Sequence, residues 1–346
     1  MNIPPILNYD WIQVNASIDC TLTFKYHSFY VIKLQPFSTR HFKIVEEIYR
    51  NNKRIATVTR QPLSDIIPPN TVLIKFDNWV LYSFNMFDYT KEFLSLNNLI
   101  FHNISRLDVC ADFTRFANDM EPSNFIKNYL YEKYLRLGRT TAGTSYFRQQ
   151  KTKINFNSLK FGSNLSDVST YLYNKTLEMT TQKWKPWIAK KWQEAGIDKN
   201  IDVWRLEISL KSSAKALTDF ETGETQHLND INILKPEFLP TLFETFREKY
   251  FSFVVQDGQQ KKSRMKKLHL FSKRFSNFTI IENQSLISAN RSDKIFIKKL
   301  EQVNQELRGQ NFNFNIDIDS LKSQYISICG LENWAEFKNL LSKKNQ

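Results

Sequence analysis

The sequence predicts an α+β protein: an antiparallel sheet with helices packed on one face, followed by a mostly helical C-terminal region. Three observations predict it. Segments with strict polar–apolar alternation recur as far as Lys211, and segments with helical spacing lie between them. From about residue 230 onward, helical spacing dominates.

In order along the chain, "IDCTLTFKYHSFYVIKL" (18–34) is β-rich, and "RHFKIVEEIYRN" has helical spacing at Phe42, Val45 and Tyr49. "IATVT" and "TVLIKF" read as short strands, and "WVLYSF" as another after the turn-like "DN". "YTKEFLSLN" reads as a helix leading into the strand "SRLDVCADF" (105–113). "EPSNFIKNYLYEKYL" is a second helix, with Pro122 near its start, where a missing amide costs little. "KINFNSLKFGS" and "VSTYLYNK" have strand character, as does "VWRLEISLK" from Val203 to Lys211. The polar, turn-rich "SSAKALTDFETGETQHLND" then marks a boundary, giving domains at 1–215 and 230–346. In the second, "PEFLPTLFETFREKYFSFV" and "SDKIFIKKLEQVNQELRG" look helical, with the β-like "FSNFTIIE" between them. "DIDSLKSQYISIC" and "NWAEFKNLLSKK" suggest two closing helices.

The 346 residues carry 48 Lys and Arg against 35 Asp and Glu, a formal charge of +13 and a pI near 9.4. Such a surplus attracts a polyanion, nucleic acid first and an acidic membrane surface second. Aromatics at 14% with only 8 Gly support a packed globular protein, not a basic disordered tail. Cys20, Cys110 and Cys329 are too few and too scattered for a disulfide framework or a zinc knuckle, which points to a reducing interior. "MNIPPILNYDW" lacks the pattern of a signal peptide, and no apolar run is long enough to cross a bilayer. The expectation is a soluble, cytoplasmic protein.

Three strands carry polar residues that a plain core strand does not need. Alternation puts Arg106, Asp108, Cys110 and Asp112 on one face of "SRLDVCADF". Two carboxylates side by side repel unless a cation or a proton sits between them. In "WRLEISLK" the same logic groups Arg205, Glu207, Ser209 and Lys211, and "STYLYNK" groups Tyr171, Tyr173 and Lys175. Any one of these strands alone is an ordinary solvated sheet face. Together, Asp108, Asp112 and Glu207 offer only hard oxygen ligands, the set that suits Mg²⁺ or Mn²⁺. A tyrosine hydroxyl, with a pKa of about 10, is a poor nucleophile until charge at a bound phosphate is stabilised. Arg106, Arg205 and Lys175 are basic neighbours suited to that task.

The ordered set "RLDVCAD", "SLKFGSNLSDVSTYLYNKTLE" and "VWRLEISLK" resembles the Rep_trans family of rolling-circle replication initiators of plasmids and mobile elements. The resemblance spans roughly residues 104 to 212. It implies the palm shared by HUH endonucleases and RRM-like folds, and a metal-assisted DNA-nicking and strand-transfer activity. One strand is cut at an origin, its 5′ phosphate joins a tyrosine, and a 3′ hydroxyl is left as primer. By position in "YLYNK" it implies Tyr173 as nucleophile, with Lys175 and Arg205 as catalytic partners and Asp108, Asp112 and Glu207 holding the metal. Tyr171 and Leu172 stand where relatives often carry arginine and isoleucine, so Tyr171 competes for the role. Origin DNA, duplex or cruciform and then single-stranded, is the implied substrate. A host helicase, a polymerase and a second copy of the chain in a homodimer are implied partners. The His-hydrophobic-His motif of the wider nicking superfamily is absent, and His27, His41, His102, His227 and His269 are dispersed.

Two basic regions fit a DNA partner. "KWKPWIAKKW" (183–192) interleaves Lys183, Lys185, Lys190 and Lys191 with three Trp, suited to stacking on bases and meeting phosphates. An amphipathic helix burying Trp184, Trp187 and Ile188 explains it equally well. "KKSRMKKLHLFSKR" (261–274) has no acidic residue, and Lys261, Lys262, Arg264, Lys266 and Lys267 suit a phosphate-tracking surface in the region assigned to origin recognition. A mobilisation relaxase of the same family is the alternative enzyme. The β-rich part beginning near residue 18 leaves no room for an added leading domain and favours the initiator. A non-catalytic DNA-binding regulator on the same fold is a third reading, opposed by the intact acidic trio and aligned tyrosine. A tyrosine recombinase lacks its arginine–histidine constellation here.

Overall fold

The computed structural model describes residues 4–18, 25–138, 143–150, 153–163, 165–214, 217–218, 225–226 and 228–271. The chain divides into two compact units, 1–280 and 281–346, and every described residue belongs to the first. Its strands and helices follow in the order β1 (Ile6–Ile18), β2 (Val31–Leu34), β3 (Phe42–Arg50), β4 (Lys53–Pro62), β5 (Thr71–Phe76), α1 (Asn78–Ser83), α2 (Met86–Leu96), β6 (Leu99–Phe113) and α3 (Pro122–Leu130). Then come β7 (Tyr134–Arg136), β8 (Gly143–Gln150), β9 (Lys153–Phe161), β10 (Val168–Asn174), α4 (Lys175–Thr181), α5 (Pro186–Glu194) and β11 (Trp204–Lys211). The chain continues through β12 (Leu217–Thr218), β13 (Thr225–Gln226), α6 (Phe238–Tyr250), β14 (Phe253–Val255) and β15 (Lys267–Leu268).

Ten strands form one antiparallel sheet in the order β2-β3-β4-β5-β1-β6-β11-β10-β9-β8. Period-two alternation gives its middle strands an apolar face: Ile12 and Val14 on β1, Leu107 and Val109 on β6, and Leu206, Ile208 and Leu210 on β11 are fully buried. α6 packs against β1, β6, β10 and β11, and its Leu242, Phe243 and Phe246 join that core. Each such side chain contributes about 1.5–3 kcal/mol by leaving water. The opposite face of β6, β11 and β10 carries the polar groups.

The structure corrects several local expectations. Residues 42–50 are not a helix but strand β3, hydrogen-bonded to β2 and β4 on its two sides. Val45 and Ile48 are buried there as pleated-sheet residues, and Glu46 is buried because Arg60 and Tyr26 bind its carboxylate. "WVLYSF" is not a strand: Asn78–Ser83 is the short helix α1, whose Val80, Leu81 and Tyr82 face inward. The sheet starts at Ile6, well before residue 18, and of 18–34 only Ile18 and Val31–Leu34 are described as strand. α6 ends at Tyr250, and Phe253–Val255 pairs with β7 and β15 in a separate three-stranded sheet. Leu228, Ile233, Leu234, Phe251 and Leu270 pack into the same core as the ten-stranded sheet. The helical segments expected beyond residue 271, "FSNFTIIE" and the end of the 261–274 run lie outside the described residues. Among the described residues no helix is long and apolar enough to cross a membrane.

Candidate active site

Register assembles the site. On the polar face of β6, Asp108 stands opposite Ser209 of β11, Cys110 opposite Glu207, and Asp112 opposite Arg205. β10 continues the rows with Tyr171 opposite Glu207 and Tyr173 opposite Arg205. Glu207 therefore lies across from the midpoint between the two aspartates, on their own face. On the other flank, Tyr9 and Trp11 of β1 pair with the consecutive residues Val109 and Asp108, so Asp10 is the extra residue of a β-bulge. Bulges re-aim side chains, and this one sends the Asp10 carboxylate to the polar face.

Arg205 is the hub. It is fully buried, and its guanidinium is divided between two acids. Nε and Nη2 donate to Asp112 Oδ1 and Oδ2 at 2.6 and 2.7 Å, and Nη1 donates to Asp10 Oδ1 at 2.5 Å. Nη2 also donates to the Tyr82 hydroxyl at 2.8 Å. Burial opposes its charge, but Asp10 and Asp112 hold its pKa well above the usual arginine value. Burial likewise pushes Asp10 upward, yet Arg205 and then Lys175 overcome this and hold its carboxyl well below the usual range.

The motif "YNK" is a strand-to-helix turn. Asn174 caps α4, its Oδ1 accepting from Leu177 N at 2.8 Å, which is why a short amide or acid suits this position. Lys175, the first helical residue, folds back so that Nζ donates to the Tyr173 hydroxyl at 3.3 Å and pairs with Glu178 at 2.8 Å. The Tyr173 hydroxyl in turn donates to Glu207 Oε2 at 3.1 Å. The preceding glycine has an equally local cause. Gly162 has φ +89°, and a Cβ there would come within 3.0 Å of the Ser169 side chain, so the β9–β10 hairpin closes only with glycine. Tyr171 stacks on Tyr173 with centroids 4.6 Å apart, and among the described residues its hydroxyl has no hydrogen-bond partner.

Electrostatically the centre is strained toward neutrality. Burial, then Asp10 and Asp108, push the Glu207 carboxyl up to about 8. Burial, then Glu207, raise the Tyr173 hydroxyl well above its usual value. Burial, then Arg205, lower Lys175. Asp108 is raised by burial although Arg106 and Ser209 both hydrogen-bond it, Arg106 through two nitrogens at 2.9 and 2.5 Å.

Each expected site residue can now be placed. Tyr173, Lys175, Arg205, Asp108, Asp112 and Glu207 share one face, but in different roles. Asp112 is saturated, because Arg205 takes both its oxygens and Trp192 Nε1 donates to Oδ2 at 2.7 Å. Arg205 has no surface left for a substrate. Among the described residues no three Asp, Glu, His or Cys side chains form a ready-made cation cluster. Asp108 is engaged as fully as Asp112, by Arg106 on both oxygens and by Ser209 on Oδ1. The all-oxygen set of Glu207, Asp108 and Asp10 therefore suits a hard divalent ion chemically only if that ion displaces Arg106, while its charge would relieve the crowding that raises Glu207. Reading from sequence missed Asp10, Tyr82 and Trp192 as members of the site. The alternation of Ile12, Val14 and Ala16 with Gln13, Asn15 and Ser17 was the available signal for β1.

The basic segments divide. In α5, Ile188 and Trp192 are buried and Trp187 is half-buried, while Trp184, just before the helix, is exposed. Lys183, Lys190 and Lys191 reach solvent, the latter two beside Glu194, while Lys185 pairs with Glu178 at 3.6 Å. Lys261, Lys262, Arg264, Lys266 and Lys267 are all exposed on a segment pinned by buried Met265 and Leu270.

Superposition finds similarity to a solved structure described as a rolling circle replication initiator protein from Geobacillus stearothermophilus. It covers 76% of this chain and 92% of that one, with a TM-score of 0.49 and 12% identity. No family model and no curated protein matches the sequence.

Proposed function

We propose that this protein is a rolling-circle replication initiator that nicks one DNA strand at an origin through Tyr173. The observation that carries this is the hydroxyl of Tyr173, held between an acceptor, Glu207 Oε2 at 3.1 Å, and a donor, Lys175 Nζ at 3.3 Å. That pair is built from the same three ordered motifs that resemble Rep_trans. As the tyrosine oxygen bonds to phosphorus, its proton passes to the ionised form of Glu207, the form that rising pH or a bound divalent cation would favour, and the bond from phosphorus to the 3′ oxygen breaks. Lys175 stabilises the charge on the tyrosyl oxygen, and the leaving 3′ oxygen takes its proton from solvent. The products are a 5′-phosphotyrosine and a free 3′ hydroxyl. A Mg²⁺ or Mn²⁺ held by Glu207, Asp108 and Asp10 would supply positive charge against the scissile phosphate. Arg205 acts behind the site, fixing Asp10 and Asp112.

Around this centre, the outer lysines of α5 and the exposed run at 261–267 are the phosphate-contacting surfaces. A host helicase and polymerase extending the 3′ end, and a second copy of the chain, belong to the same proposal. The test is a supercoiled plasmid carrying the DNA that flanks the coding region, incubated with protein and Mn²⁺. Open circles with the protein attached to a 5′ end are expected. Supercoils left intact across Mg²⁺ and Mn²⁺ contradict the proposal.

A further inference from the structure

Phosphate contact does not exhaust the tryptophan-rich segment, because two of its indoles turn inward. Ile188 and Trp192 of α5 are one helical turn apart and both buried, forming the face laid toward the sheet. Trp187 lies roughly 100° around the helix from Ile188, on the side where α5 packs against α1. Trp192 Nε1 donates to Asp112 Oδ2 at 2.7 Å. Trp187 Nε1 donates to Asn78 Oδ1 at 2.7 Å, and Asn78 Nδ2 passes the contact on to the Asp10 carbonyl and Oδ1, each at 3.0 Å. A third link starts at the N-cap of the same helix, where Lys185 pairs with Glu178, the partner of Lys175. Both acids that grip Arg205 are thus held from one helix, one directly and one through Asn78. That helix also presents Lys190, 74% exposed, and Lys191, 44% exposed, to solvent.

We infer that α5 is a positioning element, in which Trp187 and Trp192 hold Asp10 and Asp112 on Arg205 and so couple strand contact at the outer lysines to the geometry around Tyr173. This rests on the nicking activity proposed above. A nine-residue helix is too short to bend between its two faces, so a backbone drawn onto Lys190 moves both indoles together. Phenylalanine keeps the ring and removes the donor, which isolates the hydrogen bond from the packing.

The experiment is single-turnover nicking of a single-stranded oligonucleotide by the full chain with Mn²⁺. Trp192→Phe is expected to slow the chemical step roughly tenfold or more, the worth of a hydrogen bond to a charged group, and Trp187→Phe, whose acceptor is a neutral amide, about twofold to tenfold, with the half-saturating concentration unchanged. Because Trp187 acts through Asn78, Trp187→Phe with Asn78→Ala should be no slower than Asn78→Ala alone. A purely structural role moves the unfolding midpoint and leaves the rate per folded molecule intact. Phe variants that nick at the wild-type rate overturn the inference, as do multiplying effects of Trp187→Phe and Asn78→Ala. Should Trp192→Phe not fold, the half-buried pair Trp187 and Asn78 carries the test. Wild-type protein that does not nick sinks the activity itself, a different failure from an active protein indifferent to its indoles.

Discussion

Glu207 ties the electrostatics of the site to a measurable stability. Its carboxyl is raised to about 8 in the folded chain, against about 4.3 for an ordinary glutamate. The folded value is the higher one, so between those pH values the native state keeps a proton that the unfolded chain has lost. Stability therefore falls as pH rises through the window. At 1.36 kcal/mol per unit the ceiling is roughly 5 kcal/mol. Glu207 keeps some contact with water, which screens its neighbours, so about 1–3 kcal/mol is expected. Glu207→Gln keeps the shape and removes the titration. Urea unfolding in EDTA at pH 5.5 and pH 8.5 should show the variant gaining about 1–3 kcal/mol on the wild type between the two. Asp10 does not confuse the comparison, because its lowered carboxyl contributes stability that is lost only as pH falls below the usual carboxylate range. Adding Mn²⁺ at pH 8.5 should restore the wild type and leave the Gln variant unmoved. Parallel pH curves for the two proteins, or equal responses to Mn²⁺, refute the crowding of Glu207 by Asp10 and Asp108.

Arg205→Met leaves Asp10 and Asp112 buried without their cation, and a loss of about 3–5 kcal/mol in unfolding free energy is expected. Asn174→Ala removes the cap of α4 and should cost about 1 kcal/mol in urea unfolding, with a further loss of nicking rate as Lys175 loses its anchor. Neutralising Lys261, Lys262, Arg264, Lys266 and Lys267 should flatten the salt dependence of duplex-origin binding by roughly 0.9 in log–log slope per lost phosphate contact. Filter binding across a salt series checks this, and cleavage of a short single-stranded oligonucleotide should survive.

The parts of the fold legible in the sequence were those set by local rules. The alternation in "SRLDVCADF" and "WRLEISLK" placed Asp108, Asp112, Arg205 and Glu207 on shared faces, and the register of β6 with β11 puts those faces together. The capped turn of "YNK" is equally local. What escaped was set by distant partners. Phe42, Val45 and Tyr49 fall at helical spacing, yet β3 is a strand because β2 and β4 flank it and Arg60 neutralises buried Glu46. "WVLYSF" is a short apolar run of the kind whose periodicity cannot separate strand from helix, and its Tyr82 is fixed by Arg205. Asp10 is exposed to view only by a bulge, and its partner lies 195 residues away. The division of labour among the carboxylates follows from that bulge: Asp112 could be assigned to Arg205 only once the opposite strand was known.

The most direct test of the central claim is where DNA becomes attached. The full chain, incubated with a 5′-extended single-stranded origin oligonucleotide and Mn²⁺, should yield a covalent adduct whose tryptic peptide carries the nucleotide on Tyr173. Tyr173→Phe should give neither adduct nor nick while retaining duplex binding, because the ring still packs and only the hydroxyl is lost. Nucleotide mapped to Tyr171, or strand cleavage that persists in Tyr173→Phe, contradicts the account.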